Sequence, residues 1–411
     1  MDLSFVWEAS TESRVVGYRL HYGPTSRHYI KTIEVGDATT ATLPDLDPGT
    51  TYFVAVTAYN SLGVDSPPSS EISVTTLGPT PGLYTGLFSE AAGPQPGQAG
   101  SFRLLLKPRG TYSGMVQTGM KRKGFSGKLG EQSLVLASVR DPGANPITLQ
   151  LQLGSGATAD IVTGYVSDGF WIAPAVGYRA PYDAKRRPAP FASAYTLVFP
   201  GQADGTAATD GDSYATVRVT PGGIVRVLGM LADGSKFTQA AALANGGLWP
   251  VFVPSNEGRG LLAGWLGFES EPDSDLGGTL NWIRPANAKS PYESGGVVMS
   301  SRAKGSSYAV PAGSSGAPWS ALNFETIFSG GDLVQDFTND CVRIGASRVR
   351  SLNGSGFEMK FARSTGTFQG KVVEPATGEW RRFAGVVLQK FNSGSGFVLV
   401  PTHSGRVVLS P

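Results

Sequence analysis

The stretch from Phe102 to Leu129, which begins F-R-L-L-L-K-P-R-G-T-Y-S-G-M-V and ends K-G-F-S-G-K-L, constrains this chain more than any other. Phe102, Leu104 and Leu106 alternate, so they share one face of a strand. A turn at Pro108 to Gly110 follows, and Tyr112 and Met115 open the returning strand. The pattern returns as F-E-M-K-F-A-R-S-T-G-T-F-Q-G-K-V (Phe357 to Val372), with a turn one residue longer. There Gly366, Thr367, Phe368 and Gly370 take the places of Gly110, Thr111, Tyr112 and Gly114. A weaker copy runs from Tyr214 to Gly229, and R-R-F-A-G-V-V-L (Arg381 to Leu388) echoes K-G-F-S-G-K-L. The copies lie roughly 110 and 140 residues apart, well beyond the repeat of about 20–50 residues of propellers and solenoids. They read as duplication of a β-meander.

Composition agrees with a turn-rich all-β protein. Of 411 residues only 16% are charged, while glycine (55) and proline (28) are plentiful. The net charge of +2 is spread along the chain, which gives no footprint of a nucleic-acid binder and no reason to expect a polyanionic partner. A single cysteine, Cys341, excludes an intrachain disulfide and a cysteine-based zinc site, and it reads as a small strand hydrophobe. No apolar run approaches the 18 residues of a membrane helix.

Residues 1–77 carry S-F-V-W-E-A-S with Trp7, then V-V-G-Y-R-L-H-Y-G, then L-D-P-G-T-T-Y-F-V-A-V-T-A-Y-N with Tyr52, and finally E-I-S-V-T-T. These segments resemble a fibronectin type III domain. The resemblance implies a sandwich with Trp7 in the core and Tyr52 at the tyrosine corner. In that family a strand precedes the tryptophan strand, so the first strand is expected to be missing here, as in a fragment. The absence of a signal peptide then carries no information. His21 and His28 read as surface residues.

Residues 78–82 form a Pro/Gly linker, and strands with turn punctuation follow to the C-terminus. Ala240 to Asn245 comes nearest to helical spacing, but its flanks favour strand. L-A-D-G-S (Leu231 to Ser235) and V-S-D-G-F (Val166 to Phe170) suit two-residue type I′ hairpins. Glycines inside strands, as in G-W-L-G-F and F-Q-G-K-V, favour a coiled or closed antiparallel sheet. The fold class is therefore all-β: the sandwich, then a barrel-like or curled-sheet region in two similar lobes, residues 83–200 and 201–411. Y-T-G-L-F, G-T-Y-S-G, L-A-D-G-S-K-F and L-G-G-T-L-N-W resemble uncharacterised repeats of large secreted bacterial surface proteins, which implies a secreted or cell-surface location and no chemistry.

Catalytic groups are sparse. His403, the one histidine of the large region, sits in P-T-H-S-G-R between terminal strands, where a turn role is expected, and no G-x-S-x-G elbow is present. The acidic loops 203–212 and 269–275 lack EF-hand spacing and read as solvated turns, with weak calcium binding the sharper alternative. No cofactor and no metal site is expected. Tryptophan gives the one functional thread, because an exposed indole face suits the C–H face of a sugar. Trp265 and Trp282 have alternating apolar neighbours and read as core, whereas Trp171, Trp319 and Trp380 flank turns, prolines or charges and are the candidates for sugar stacking. The expected function is a non-catalytic structural or adhesive module. The alternatives are a carbohydrate-binding accessory module, a filament or layer subunit, and an uncharacterised hydrolase. Expected partners are other extracellular domains or cell-surface glycans, with self-association through β edges.

Overall fold

Strand alternation decides which face each segment buries, and a computed structural model shows where those faces meet. It describes residues 2–411 except 45, 47–48, 77, 142–143, 203–208, 272–273, 287–294 and 313–317. Near the N-terminus, Leu3–Val6 pairs with Thr40–Leu43, and this two-stranded sheet faces a four-stranded one ordered Lys31–Gly36, Val15–Gly23, Thr51–Asn60, Ile72–Thr75. Leu20, Tyr22, Leu43, Tyr52 and Val54 fill the space between, with Trp7 packed against them. Among the described residues Leu3–Val6 has Thr40–Leu43 as its one ladder partner.

Residues 82–180, 194–307 and 323–410 form three up-and-down sets of eight antiparallel strands. In each, the first strand pairs with the eighth: Gly82–Phe88 with Ile172–Ala180, Ala194–Phe199 with Val297–Ser307, and Asn323–Ser329 with Gly405–Ser410. This grouping differs from two lobes meeting at 200/201. The strand gaps fall after Ala180 and after Ser307, because closure joins strands that are distant in sequence.

The third set is a closed barrel. The first two carry a seam between their fourth and fifth strands, Lys121–Lys128 against Leu134–Asp141 and Lys236–Ala242 against Leu248–Ser255. There Cα atoms approach within 8 Å without a described ladder. Side chains lace both seams. Tyr112 Oη donates to the Leu136 carbonyl at 2.8 Å. Gln239 Nε2 donates to the carbonyls of Pro250 (3.1 Å) and Phe252 (3.4 Å), while its Oε1 accepts from Trp249 Nε1 at 3.3 Å. At Tyr112's place in the third barrel stands Phe368, and there the ladder between Trp380–Leu388 and Ser393–Leu399 is continuous, so no hydroxyl is needed.

The repeated sequence encodes a packing device. Gly86 stands opposite Phe102 and Phe88 opposite Gly100; Gly114 opposite Phe125 and Tyr112 opposite Gly127; Gly370 opposite Phe383 and Phe368 opposite Gly385. Each ring lies across the glycine facing it, where a Cβ would overlap its tip. The hairpin copies occupy strands two and three of the first two sets but four and five of the third. What repeats is thus the hairpin and not the whole barrel.

The Asp-Gly turns depart from type I′, which needs positive φ at both central residues. Only Gly234 (φ +82°) and Gly169 (φ +92°) have it. Leu231 and Ser235 instead close a longer loop, N to O at 2.8 Å, that frees the Asp233 carboxylate to accept from the Ser235 amide (2.8 Å) and from Arg284 Nη1 (3.2 Å). Residues Lys236–Ala242 are strand.

Two outcomes are expected. Tyr112→Phe leaves the Leu136 carbonyl unpaired and lowers stability by about 1–3 kcal/mol. Gly127→Ala, whose Cβ would lie 2.6 Å from Tyr112 Oη, pushes the same ring aside at a comparable cost. Both changes break one hydrogen bond, so the double variant loses less than the sum in denaturant titration, and full additivity would show that the bond does not lace the seam. Separately, burial pushes the hydroxyls of Tyr84 and Tyr308 up to about 12. A tyrosine in the unfolded chain ionises near 10, so this stability is complete below about pH 10 and lost as pH rises toward 12. In absorbance titration at alkaline pH these two tyrosines titrate last, together with unfolding; ionisation near pH 10 in the folded state would contradict it.

Candidate binding surfaces

The three candidate tryptophans sit apart. Trp171 packs on the core of the first barrel, its ring stacked on Phe88 at 6.3 Å and 7°. Asp168 Oδ1 holds it in place by accepting its amide at 3.2 Å. Trp319 is an interior residue, 3% exposed, whose Nε1 donates to Asn392 Oδ1 at 2.7 Å and whose ring meets Phe324 at 5.1 Å. It offers no face to a sugar, because the segment before the third barrel tucks it under that barrel's core. Trp380 is 49% exposed, and Lys371 Nζ lies 4.4 Å from its ring centroid. No shared platform joins the three. Trp249 and Trp282 lie in the second barrel's core. Trp265 instead reaches the junction of the first and second barrels, edge-on to Tyr178 at 5.4 Å.

Three aspartates of the acidic loops, Asp210, Asp212 and Asp275, act as inter-barrel clasps. Residues 203–208 and 272–273 lie outside the described residues, so calcium binding there has no structural description. Asp212 accepts from the Gly201 amide (2.9 Å), from Ser395 Oγ and from Arg406 Nε (3.0 Å). Asp210 accepts from the Gly331 amide at 2.6 Å, and Asp275 from Lys390 Nζ at 2.7 Å and the Ser307 amide at 2.8 Å. Burial opposes ionisation of Asp275, but Lys390 and Ser307 outweigh it and hold the carboxyl below its ordinary value. Beneath these bonds Val198, Val386 and Leu388 pack together, and Thr196 Oγ1 donates to the Val387 carbonyl at 2.6 Å in full burial. A parallel arrangement joins the first barrel to the second. Asp160 pairs with Arg179 (2.5 Å) and accepts from Asn245 Nδ2 (2.8 Å), beside a cluster of Ala99, Phe252, Leu261 and Ala263.

Cys341, His403 and His21 are in structural use. Burial pushes the Cys341 thiol up to about 11, and its Sγ lies 3.4 Å from Thr326 Oγ1. His403 is held at its amide and ring by Asp332, 2.8 and 3.3 Å away. His28 is exposed, whereas His21 is partly buried, with Nδ1 and Nε2 each 2.9 Å from a hydroxyl, of Thr32 and Thr57. Burial lowers its pKa. Among the described residues no group of three His, Cys, Asp or Glu side chains could hold a metal ion.

Clefts open at the junctions between barrels. One of about 790 Å³ lies between the first and second barrels, lined by Arg103, Arg122, Arg226, Met115 and Pro250 among others. A second at the same junction, about 680 Å³, is lined by Phe88, Glu90, Trp265 and Asn281. Another, about 590 Å³, lies between Met230 of the second barrel and Lys360, Lys371 and Arg382 of the third.

The family model described as fibronectin type III domain matches residues 2–75. No curated protein matches the chain. Among solved structures, the isotype 1 transferrin binding protein B from serogroup B Neisseria meningitidis aligns over 86% of this chain and 83% of that one, at 9% identity and a TM-score of 0.19. A likeness at that level establishes no shared fold. The comparisons thus place a fibronectin type III-like sandwich at the head of an all-β chain whose barrels they leave without a family.

Proposed function

We propose that this chain is a non-catalytic structural or adhesive module of a secreted or cell-surface bacterial protein, in which a sandwich leads into a stiff row of three barrels. One observation carries the reading: three carboxylates of the acidic loops, Asp210, Asp212 and Asp275, are spent on fastening the second barrel to the third. Interfaces that combine ion pairs, amide bonds and a buried apolar cluster resist bending where a bare linker would hinge. The sugar-binding alternative has Trp380 as its one exposed indole among the three candidates. Assembly into a filament or layer would use strand edges such as Leu3–Val6.

Small-angle scattering of the full chain is expected to fit one extended shape in which the second and third barrels hold a fixed relation. A profile needing freely jointed barrels would sink the reading. Asp212→Ala strips partners from Arg406, Ser395 and the Gly201 amide and costs about 2–3 kcal/mol, below the range for a fully buried pair because Arg406 is about one-third exposed. Calorimetry should then resolve separate transitions for the two barrels, where the parent chain shows one. Acid acts at the neighbouring clasp. The stabilisation from Asp275 is complete above the ordinary aspartate pKa of about 3.9 and is lost as pH falls through its depressed folded value. Coupling that persists unchanged at pH 2 would show that the ion pair does not fasten the junction.

A further inference from the structure

The cleft of about 790 Å³ between the first two barrels gathers cation with no counter-charge among the described residues that line it. Arg103, Arg122 and Arg226 line it, and no carboxylate does among the described residues. Arg122 Nε donates to the neutral Gln117 Oε1 at 3.0 Å, and no described acidic side chain pairs with any of the three. A second observation points the same way. Arg226 stands directly across the ladder from Arg218, both exposed on the outer face of the second barrel. Like charges directly opposite one another destabilise a sheet, so the arrangement calls for an anion from outside. A chain charge of +2 averages away what this cleft concentrates.

We propose that this cleft binds a segment of an anionic polysaccharide, with the arginine forks on its carboxylate or sulfate groups. The guanidinium geometry matches such groups two bonds at a time. The hydroxyls of Ser101 and Thr238 are placed for sugar hydroxyls, and the C–H surfaces of Met115, Pro250 and Pro254 for ring faces. An acidic peptide is the weaker occupant, since extended peptides gain affinity from main-chain bonds. The cleft backbone offers few: Gln239 already occupies the Pro250 and Phe252 carbonyls, and Pro250 and Pro254 have no N–H. This binding goes beyond the spacer role, which needs no ligand.

The test is calorimetric titration of the full chain with polygalacturonate, dextran sulfate, neutral dextran and poly-L-glutamate. Expected is binding to one or both anionic polysaccharides that weakens with added salt. Polygalacturonate alone would identify carboxylate as the recognised group, and dextran sulfate alone would identify sulfate. Arg103→Ser and Arg226→Ser should each weaken binding about tenfold or more. Arg348→Ser, an exposed position on the third barrel, should leave it unchanged. The arginines lie on outer faces, so melting temperatures should hold; if one falls, Arg226→Lys keeps the charge, loses the fork and should still weaken binding several-fold. The proposal is overturned if neither anionic polysaccharide binds, if neutral dextran or poly-L-glutamate binds as well, or if Arg348→Ser weakens binding as much as the cleft substitutions.

Discussion

Everything in the barrels rests on an aromatic ring lying flat across a glycine of the next strand. With only a hydrogen on the facing residue, the ring can fold over the neighbouring strand, and the missing side chain lets the sheet coil more tightly. Where Phe125 covers Gly114 and Tyr112 covers Gly127, two strands exchange rings and gaps reciprocally, and the register cannot slip without stranding both rings. The same exchange at Gly86–Phe102 and at Gly370–Phe383 recurs in units whose remaining sequence differs.

Closure can be completed in more than one way. In the third barrel the backbone ladder does all of it, and an unadorned Phe368 suffices. The first two leave a seam and lace it with a phenol or an amide, each already anchored in the interior. The difference between Tyr112 and Phe368 at matching places of the two hairpins is one hydroxyl, which reaches the Leu136 carbonyl across the seam.

Much of this was legible in the sequence, and the part that was not has a common cause. Alternation and glycine turns revealed the strands and the echoing hairpins, since those patterns are local, and the sandwich came from the resemblance of residues 1–77 to a fibronectin type III domain. The count of barrels was hidden, because Ala175 meets Phe88 through closure and leaves no local mark. The acidic loops looked solvated because Asp212 finds Arg406 only after the third barrel is built. Trp319 looked exposed among its prolines and serines for a like reason: its partner Asn392 lies in a distant turn. The arginine cleft escaped notice because Arg103 and Arg226 belong to different barrels and meet only across their junction.

Phe397 belongs to the third barrel by its ladder, yet it is buried in the core cluster of the second, stacked on Tyr214 at 5.9 Å. A chain emerging from the ribosome makes the second barrel long before that ring exists. Until then a patch of interior stands open to water and to neighbouring nascent chains, so the second barrel matures only retroactively. The order of synthesis and the order of burial therefore run in opposite directions across this junction, and a strand of the third barrel seals the interior of the second.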